Sequence, residues 1–423
     1  MAAVNVLVFP CGSENASEIH QALMHSIHVN LFGASSVDDH GRFLFARYVG
    51  DLPRIDAPEF DAKFANLLAQ WGIQLVFATH DSVQHYLSAR VAAWNVALVN
   101  GDTNASLTSR QKSLTYGLFS DQPWTPTVYR SVEHVQHWPV VVKPDMGQGG
   151  QGVSLVQTAA QAHAASAQLE APLLVEYLPG EEITVDCFTD RNRRIVWIGP
   201  RTRERVRAGI AMRCRPLTLS AEVETIAHLI NQRLTLRGPW FFQLKKDHSG
   251  AWKLLEISCR VAGAMVTQRA RGVNLPLMAV LDFMRRDVMA LPLSGVSLVE
   301  RRITTLAQLD DDFDTVYVDF DETVIKDGKA IPSTLYFLYR MLDKGKRLVL
   351  ITRHVGDPLH ALGKARIDPK LFDEIIHLDN GEKKSAFIHG RAIFVDNHFP
   401  ERLDVATTCG IPVFDVDALE FFC

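Results

Sequence analysis

The sequence predicts an α/β protein built from more than one domain, and three observations carry that expectation. At 423 residues the chain is longer than a single domain usually runs. Through its first hundred residues short apolar strands alternate with amphipathic helices, the pattern of a parallel sheet covered by helices. A polar run, LAQLDDDFD (306–314), then precedes a fresh set of apolar strands and reads as a linker or domain edge.

Composition narrows the classes. Hydrophobic content of 47% and charged content of 22% are those of a soluble globular protein. A formal net charge of −4 makes nucleic acid and anionic membrane unfavoured partners, and no apolar run is long enough to span a bilayer. The opening MAAVNVLVFP lacks the basic start and cleavage site of a signal peptide and reads as a first strand. Six cysteines without a CxxC pair are expected to be reduced thiols in a cytoplasmic protein, with no zinc site.

Strand VNVLVF (4–9) is followed by Ile19, Leu23 and Ile27 at helical spacing and by a strand near His28 to Gly33. Phe60 to Trp71 has an amphipathic period, and IQLVFAT (73–79) is a fully apolar strand. His80-Asp81 stands at that strand's carboxyl end, where open sheets keep ligands, although a helix N-cap by Asp81 is the favoured reading. Lys112 lies on a short amphipathic helix in SRQKSLTYGLF and carries no functional weight without its neighbours.

The chain is organised around VVVKPDMGQGGQGVSLV (140–156). A buried strand delivers Lys143 at its exit, a loop with Gly147, Gly149, Gly150 and Gly152 follows, and Val153 to Val156 returns as a second strand. Bare backbone N–H groups beside an ammonium suit a polyphosphate. The loop joins two strands and has no GK[ST], so it is neither a P-loop nor a dinucleotide fingerprint. A flexible glycine-rich hairpin is the alternative.

A helix over Ala159 to Leu169 leads into LLVEYLPGEEITVD (173–186), two strands interrupted at Leu-Pro-Gly. The break would leave backbone groups at Glu176, Tyr177 and Leu178 free for an adenine edge, with Glu182 placed for ribose hydroxyls. A plain β-turn with solvent-facing acids is the other reading. Next, PRTRERVRAGIAMRCRP sets Arg201, Arg203, Arg205, Arg207, Arg213 and Arg215 at a near-period of two. One strand face would then concentrate like charge, relieved by a bound anion or by Glu204 and Glu222. FFQLKKDHSGAWKLLEISCR (241–260) reads as a hairpin with Gln243 beside Glu256. Ser258 and Arg260 follow on the same face, and the three oxygen ligands suit Mg²⁺ held against phosphates.

Lysine, glycine-rich hairpin, glutamate hinge and hairpin metal site, in that order, resemble the ATP-grasp superfamily over about residues 1–300. The similarity is to carbamoyl-phosphate-synthase-like and other carboxylate–amine ligases. It implies a Rossmann-like pre-grasp subdomain (1–106) and an ATP-grasp domain (107–305). It places ATP on Lys112, Lys143, Gly149, Gly150, Glu176, Tyr177, Leu178, Glu182 and Arg201. Gln243, Glu256 and Ser258 would hold Mg²⁺ (or Mn²⁺), with Arg260 as a catalytic cation. Ser258 stands where the family has Asn, and Cys259 where it has Pro. The implied chemistry is phosphoryl transfer to a carboxylate and attack on the acyl phosphate by an amine.

The last part of the chain carries VYVDFDETV (316–324), then RLVLITRH, then Lys383 and Lys384 opening a helix, and RAIFVDN as a third strand, with the polar groups at the strands' carboxyl ends. In a parallel sheet those groups converge at one crevice. Two aspartates at i and i+2 off an apolar strand are costly without a cation. This set resembles the haloacid-dehalogenase (HAD) superfamily, over about residues 313–423, and implies a small HAD-like Rossmannoid domain. By that resemblance Asp319 is the nucleophile, Asp321 the general acid and base, and Thr352 a phosphoryl ligand. Lys384 (or Lys383) neutralises charge, and Asp319, Asp321 and Asp396 hold Mg²⁺; Asn397 stands where a second acid is common. Only about 27 residues separate Thr323 from Ile351, too few for a cap domain.

The expectation is a bifunctional cytoplasmic enzyme acting on small-molecule carboxylate and amine substrates, some of them phosphorylated, with oligomeric state left open. The alternative is a nucleotide-binding module that regulates a phosphatase or phosphotransferase.

Overall fold

In the computed structural model, which describes residues 3–147, 150–207, 209–309, 312–378 and 381–422, the first apolar run becomes strand β1 (Val4–Phe9). Its alternation sorts the side chains: Val4, Val6 and Val8 join one core while Leu7 and Phe9 join another. Helix α1 (Glu14–Leu23) begins at Ser13, whose side chain accepts from the Ala16 N–H. Strand β2 (Val29–Ala34), helix α2 (Gly41–Leu44) and strand β3 (Tyr48–Val49) follow. Helix α3 (Phe60–Gln70) buries Phe60, Phe64, Leu67 and Leu68, with the Phe60 and Phe64 rings 5.7 and 5.1 Å from Phe9. Strand β4 (Leu75–Ala78), helix α4 (Asp81–Ser88) and strand β5 (Ala97–Leu98) complete a parallel sheet of order β3-β2-β1-β4-β5. The strand order reverses between β1 and β4, so α1 and α4 both start beside the crevice at that switch point.

Helix α5 (Thr103–Arg110), capped by Asp102, and helix α6 (Lys112–Leu118) lead out of this layer. Strands β6 (Val128–Tyr129), β7 (Val140–Pro144) and β8 (Ser154–Val156), helix α7 (Ala159–Ser166) and strand β9 (Pro172–Glu176) form the next layer. Its antiparallel sheet has the order β6-β9-β7-β8. The glycine-rich loop joins β7 to β8, and Gly150 and Gly152 take φ of +75° and +72°, which a side chain would strain. Gly149 lies outside the described residues.

Strand β10 (Glu182–Thr189) pairs on one side with β11 (Ile195–Thr202). Beyond it the arginine-rich segment breaks into short pieces, β12 (Val206–Arg207), β13 (Ile210–Ala211) and β14 (Arg213–Cys214). This corrects the single charged strand face expected from the spacing. Arg203, Arg205, Arg213 and Arg215 each meet an acid (Glu182, Glu300, Glu300 and Glu204), so the charge is relieved within the protein. Glu222, expected as a partner, sits instead in the first turn of helix α8 (Ala221–Arg233). That helix packs Val223, Ile226, Ala227 and Ile230 into a core with Trp240 and Phe242. Strands β15 (Gly238–Lys246) and β16 (Trp252–Ser258) extend the sheet to β11-β10-β15-β16, and the register sets Gln243 opposite Glu256 as expected. Helices α9 (Val266–Ala270) and α10 (Leu275–Phe283) and strand β17 (Val299–Glu300) close this part.

The chain divides into two units, Met1–Arg302 and Ile303–Cys423. In the second, strand β18 (Thr315–Val318) is followed by a small hairpin, β19 (Ile325–Lys326) and β20 (Lys329–Ala330), and helix α11 (Pro332–Asp343). Strand β21 (Arg347–Thr352), helix α12 (Pro358–Lys364), strands β22 (Glu374–His377) and β23 (Ala392–Val395), helix α13 (Phe399–Cys409) and strand β24 (Val413–Phe414) complete it. All five main strands are parallel, in the order β22-β21-β18-β23-β24. Lys384 opens a four-residue 3₁₀ turn where a helix was expected. Among the described residues no helix is long and apolar enough to cross a membrane, and the five described cysteines are free thiols.

Candidate functional site

Two cavities meet in the first unit. The smaller, about 490 Å³, is lined by Lys112, Lys143, Gly150, Glu176, Tyr177, Leu178 and Glu182, and by Gln243 and Glu256. The larger, about 560 Å³, runs from the β1/β4 switch point past His80, Asp81 and Arg110 to Ser258 and Arg260. Lys112, Gly147, Arg203, Gln243 and Glu256 line both, so the two spaces share a wall.

Strand β7 carries Lys143 into a position where it is only 7% exposed. Its ammonium donates to the Tyr116 hydroxyl at 2.7 Å, which in turn donates to the Leu255 carbonyl at 2.7 Å. Burial, then the neighbouring Lys112, lowers the Lys143 pKa to about 8, with Glu256 pulling it back up. A desolvated cation beside a second cation is an arrangement that a bound anion would stabilise. Lys112 is brought there by Asp145, whose carboxylate accepts from the Gln111 amide and from the Ser113 N–H and hydroxyl at 2.7–2.9 Å. Among the described residues the Lys112 Nζ reaches only the Asp145 carbonyl, at 3.4 Å.

At the far end the Glu176 carboxylate accepts from the Thr127 N–H, and its own N–H goes to the Thr127 carbonyl. Among the described residues the main-chain groups of Tyr177 and Leu178 keep no partner, which leaves an edge for a planar ring. Glu182 does line this cavity, but its carboxylate is shared by Arg203 at 2.6 Å and Lys245 at 3.8 Å.

Three expectations need correcting. Arg201 is not held for an external anion: it is fully buried and binds Asp186 at 2.7 and 3.1 Å, with Gln268 donating to the same carboxylate. Ser258 follows Glu256 along β16 as expected, yet its hydroxyl donates to Asp81 at 2.5 Å. Asp81 does not cap its helix, where His80 takes the N-cap position; it binds Arg260 instead, at 3.0 Å to Nε and 2.8 Å to Nη2. Burial alone would raise the Asp81 pKa, but Arg260 and the Ser258 hydroxyl hold it below the usual carboxylate value.

Glu256 is pushed up by burial, then by Asp81, while Lys112, Arg260 and Arg203 oppose the shift. Its carboxylate beside the Gln243 amide at the shared wall is an oxygen-donor set that fits Mg²⁺ completed by phosphate oxygens. Among the described residues no group of three or more His, Cys, Asp and Glu is gathered around one point. Sequence reasoning missed Tyr116 and Asp145. Tyr116 had a signal, four residues after Lys112 on the same helical face.

This geometry can be set beside known proteins. Residues 168–301 match the family model described as "ATP-grasp in the biosynthetic pathway with Ter operon". A solved structure of L-amino acid ligase from Bacillus licheniformis superposes with a TM-score of 0.55 at 14% identity, covering 68% of this chain and 76% of that one. The first unit has the ATP-grasp fold. Two curated relatives match parts of the chain. Carnosine synthase 1 of Gallus gallus is 31% identical over 172 residues, 34% of this chain and 18% of that protein. D-alanine–D-alanine ligase of Fusobacterium nucleatum subsp. nucleatum is 36% identical over 76 residues, 18% of this chain and 26% of that protein. The chain thus spans about a quarter or less of the curated relatives it matches. The smaller cavity is lined in part by Gly150 and Val153, at the start of the chain's return from β7 to β8.

In the second unit the carboxyl ends of β18, β21 and β23 gather a separate cluster. Lys384 donates to Asp319 at 2.5 Å and to Asp396 at 2.7 Å, and all three are buried. Lys383 points out to Asp404, so Lys384 is the lysine at the crevice. Burial raises the Asp319 pKa, Lys384 pulls it down and Asp396 pushes it up again. Thr323 donates to Asp319 at 3.2 Å, and the Thr352 hydroxyl accepts from the His354 N–H at 3.0 Å. Asp321, expected among the metal ligands, turns its carboxylate to His354 Nδ1 at 2.9 and 3.0 Å. Asp319 and Asp396 remain as an oxygen pair that fits a divalent cation with phosphate and water. His354 was missed, although it stands two residues after Thr352.

Proposed function

We propose that the first unit is an ATP-dependent carboxylate–amine ligase and the second a phosphatase of HAD type, acting on small molecules. The shared wall of the two cavities carries the ligase reading. It puts Lys112, Arg203, Gln243 and Glu256 between a nucleotide pocket and a polar substrate pocket. A carboxylate oxygen of the acid attacks the γ-phosphorus, ADP leaves with the bond's electrons, and Lys112 and Lys143 hold the phosphate charge. The amine then attacks the acyl carbon, phosphate departs, and the amine's proton passes to solvent or phosphate. Gln243 and Glu256 would hold Mg²⁺, which would supply charge neutralisation for the transferring group. Support comes from the ligases among the relatives and from Lys112 and Lys143, which have no ion-pair partner among the described residues.

For the second unit, Asp319 attacks the phosphorus of a phosphomonoester, the P–O bond to the alcohol breaks and Asp321 protonates the departing oxygen; water, deprotonated by Asp321, then releases phosphate from the aspartyl phosphate and restores the Asp319 carboxylate. Lys384 and Thr352 hold the phosphoryl oxygens, and Asp319 and Asp396 would hold a divalent cation that would supply further charge. E256A and D319N separate the two. E256A should abolish acid- and amine-dependent ADP formation while hydrolysis of an aryl phosphate persists, and D319N should do the reverse. Equal loss of ADP formation in both variants defeats the division of labour.

One observation favours a second reading, in which the first unit senses nucleotide and regulates the second. Ser258 and Arg260 are both tied to Asp81 and so are less available to the reaction. ADP formation by D319N with any acid and amine pair would remove it.

A further inference from the structure

The larger cavity is walled by many charged groups, and apart from Glu256 and Lys112 at the shared wall most are neutralised inside the protein. Arg201 is bound by Asp186, Arg203 by Glu182, Arg260 by Asp81, and Glu14 by Arg301. His80 is lowered by burial and then by Arg260, so it adds no fixed charge at neutral pH. Lys112 stands at the shared wall and faces the nucleotide pocket as well.

Arg110 is left over. It ends α5, lines the larger cavity and is half-buried, and its guanidinium has no ion-pair or hydrogen-bond partner among the described residues. His85, the titratable group whose ionisation it perturbs, is itself lowered by burial and by Arg110, and so offers no counter-charge. Arg110 lines the larger cavity alone, while Lys112, two residues on, lines both. The unpaired charge is therefore set back from the wall where phosphoryl transfer takes place. A half-buried guanidinium facing a polar cavity is suited to a bidentate anion.

We infer that the acid substrate carries a second anionic group, a carboxylate or a phosphate, and that Arg110 binds it while the first carboxylate lies at the Gln243–Glu256 wall. This rests on the ligase reading for the role of the cavity, and on Arg110 for the substrate class. The first carboxylate is consumed by the reaction; the second is retained in the product and sets which acids are accepted.

The test uses the full chain loaded with Mg²⁺ and a non-hydrolysable ATP analogue. Calorimetry compares glutarate and 3-phosphoglycerate with butyrate and glycerate, and ADP formation is then followed with ATP and an amine panel. At least one dianion should bind about tenfold or more tightly than its monoanionic partner. R110Q should remove that difference, and R110K should restore part of it. Glutarate and 3-phosphoglycerate identify which anion is preferred. Equal binding of mono- and dianions, or a dianion preference that survives R110Q, overturns the inference. Dianion binding that depends on Arg110 without ADP formation leaves the anion site standing and defeats the ligase reading.

Discussion

Asp81 and Arg260 form a two-pronged ion pair, 2.8 and 3.0 Å long, across 179 residues of sequence. The first residue of α4 thereby holds the end of the β16 segment that carries Glu256. D81N keeps the shape but removes the charge that Arg260 and Ser258 answer. It should lower unfolding free energy by about 1–3 kcal/mol and reduce ADP formation more than stability alone accounts for. Denaturant titration and an ADP assay on one sample check this, and D81A with R260A should be less damaging than the two effects added.

Lys143 gives a pH signature. Its pKa in the empty protein is about 8, below the usual lysine value. Between that value and the ordinary lysine range the folded chain holds fewer protons than the unfolded one, so stability of the nucleotide-free protein should rise with pH there. Phosphate oxygens favour the charged form, so nucleotide binding should take up protons above about pH 8 and weaken as pH rises further. Calorimetry in buffers of different ionisation heat measures the uptake, and K143M should abolish it.

Tyr116 connects that lysine to the hairpin by accepting from Lys143 and donating to Leu255. Y116F leaves a buried ammonium and a carbonyl each short of one bond. A loss of about 1–2 kcal/mol in stability is expected, together with weaker nucleotide binding. Unchanged nucleotide affinity in a folded Y116F would show that the hydroxyl does not position Lys143.

In the second unit Lys384 is the cation between Asp319 and Asp396. K384M leaves two buried carboxylates facing each other, at a cost of about 3–5 kcal/mol near neutral pH. Melting temperature should recover as pH falls and the pair takes up a proton, and also on addition of Mg²⁺. Phosphatase activity should not return with either.

The Gln243–Glu256 pairing was legible in the sequence because two strands joined by a short turn have few registers that keep both apolar faces buried. The Lys143 hairpin and the strand-end residues Asp319, Thr352 and Asp396 were legible for the same local reason. The arginine segment was not, because a period of two implies one strand only if the chain stays extended, and here it breaks after Thr202. The roles of Asp81, Asp145 and His354 depend on approaches of 177, 32 and 33 residues in sequence, which local patterning does not encode.

The wall common to the two cavities has a consequence for time. On the ligase reading, the mixed anhydride formed against Glu256 is already inside the chamber that receives the amine. Its survival in bulk water then has no bearing on yield. What matters is whether the amine arrives before the acyl phosphate is lost to water, so the enzyme's waste of ATP falls as amine concentration rises.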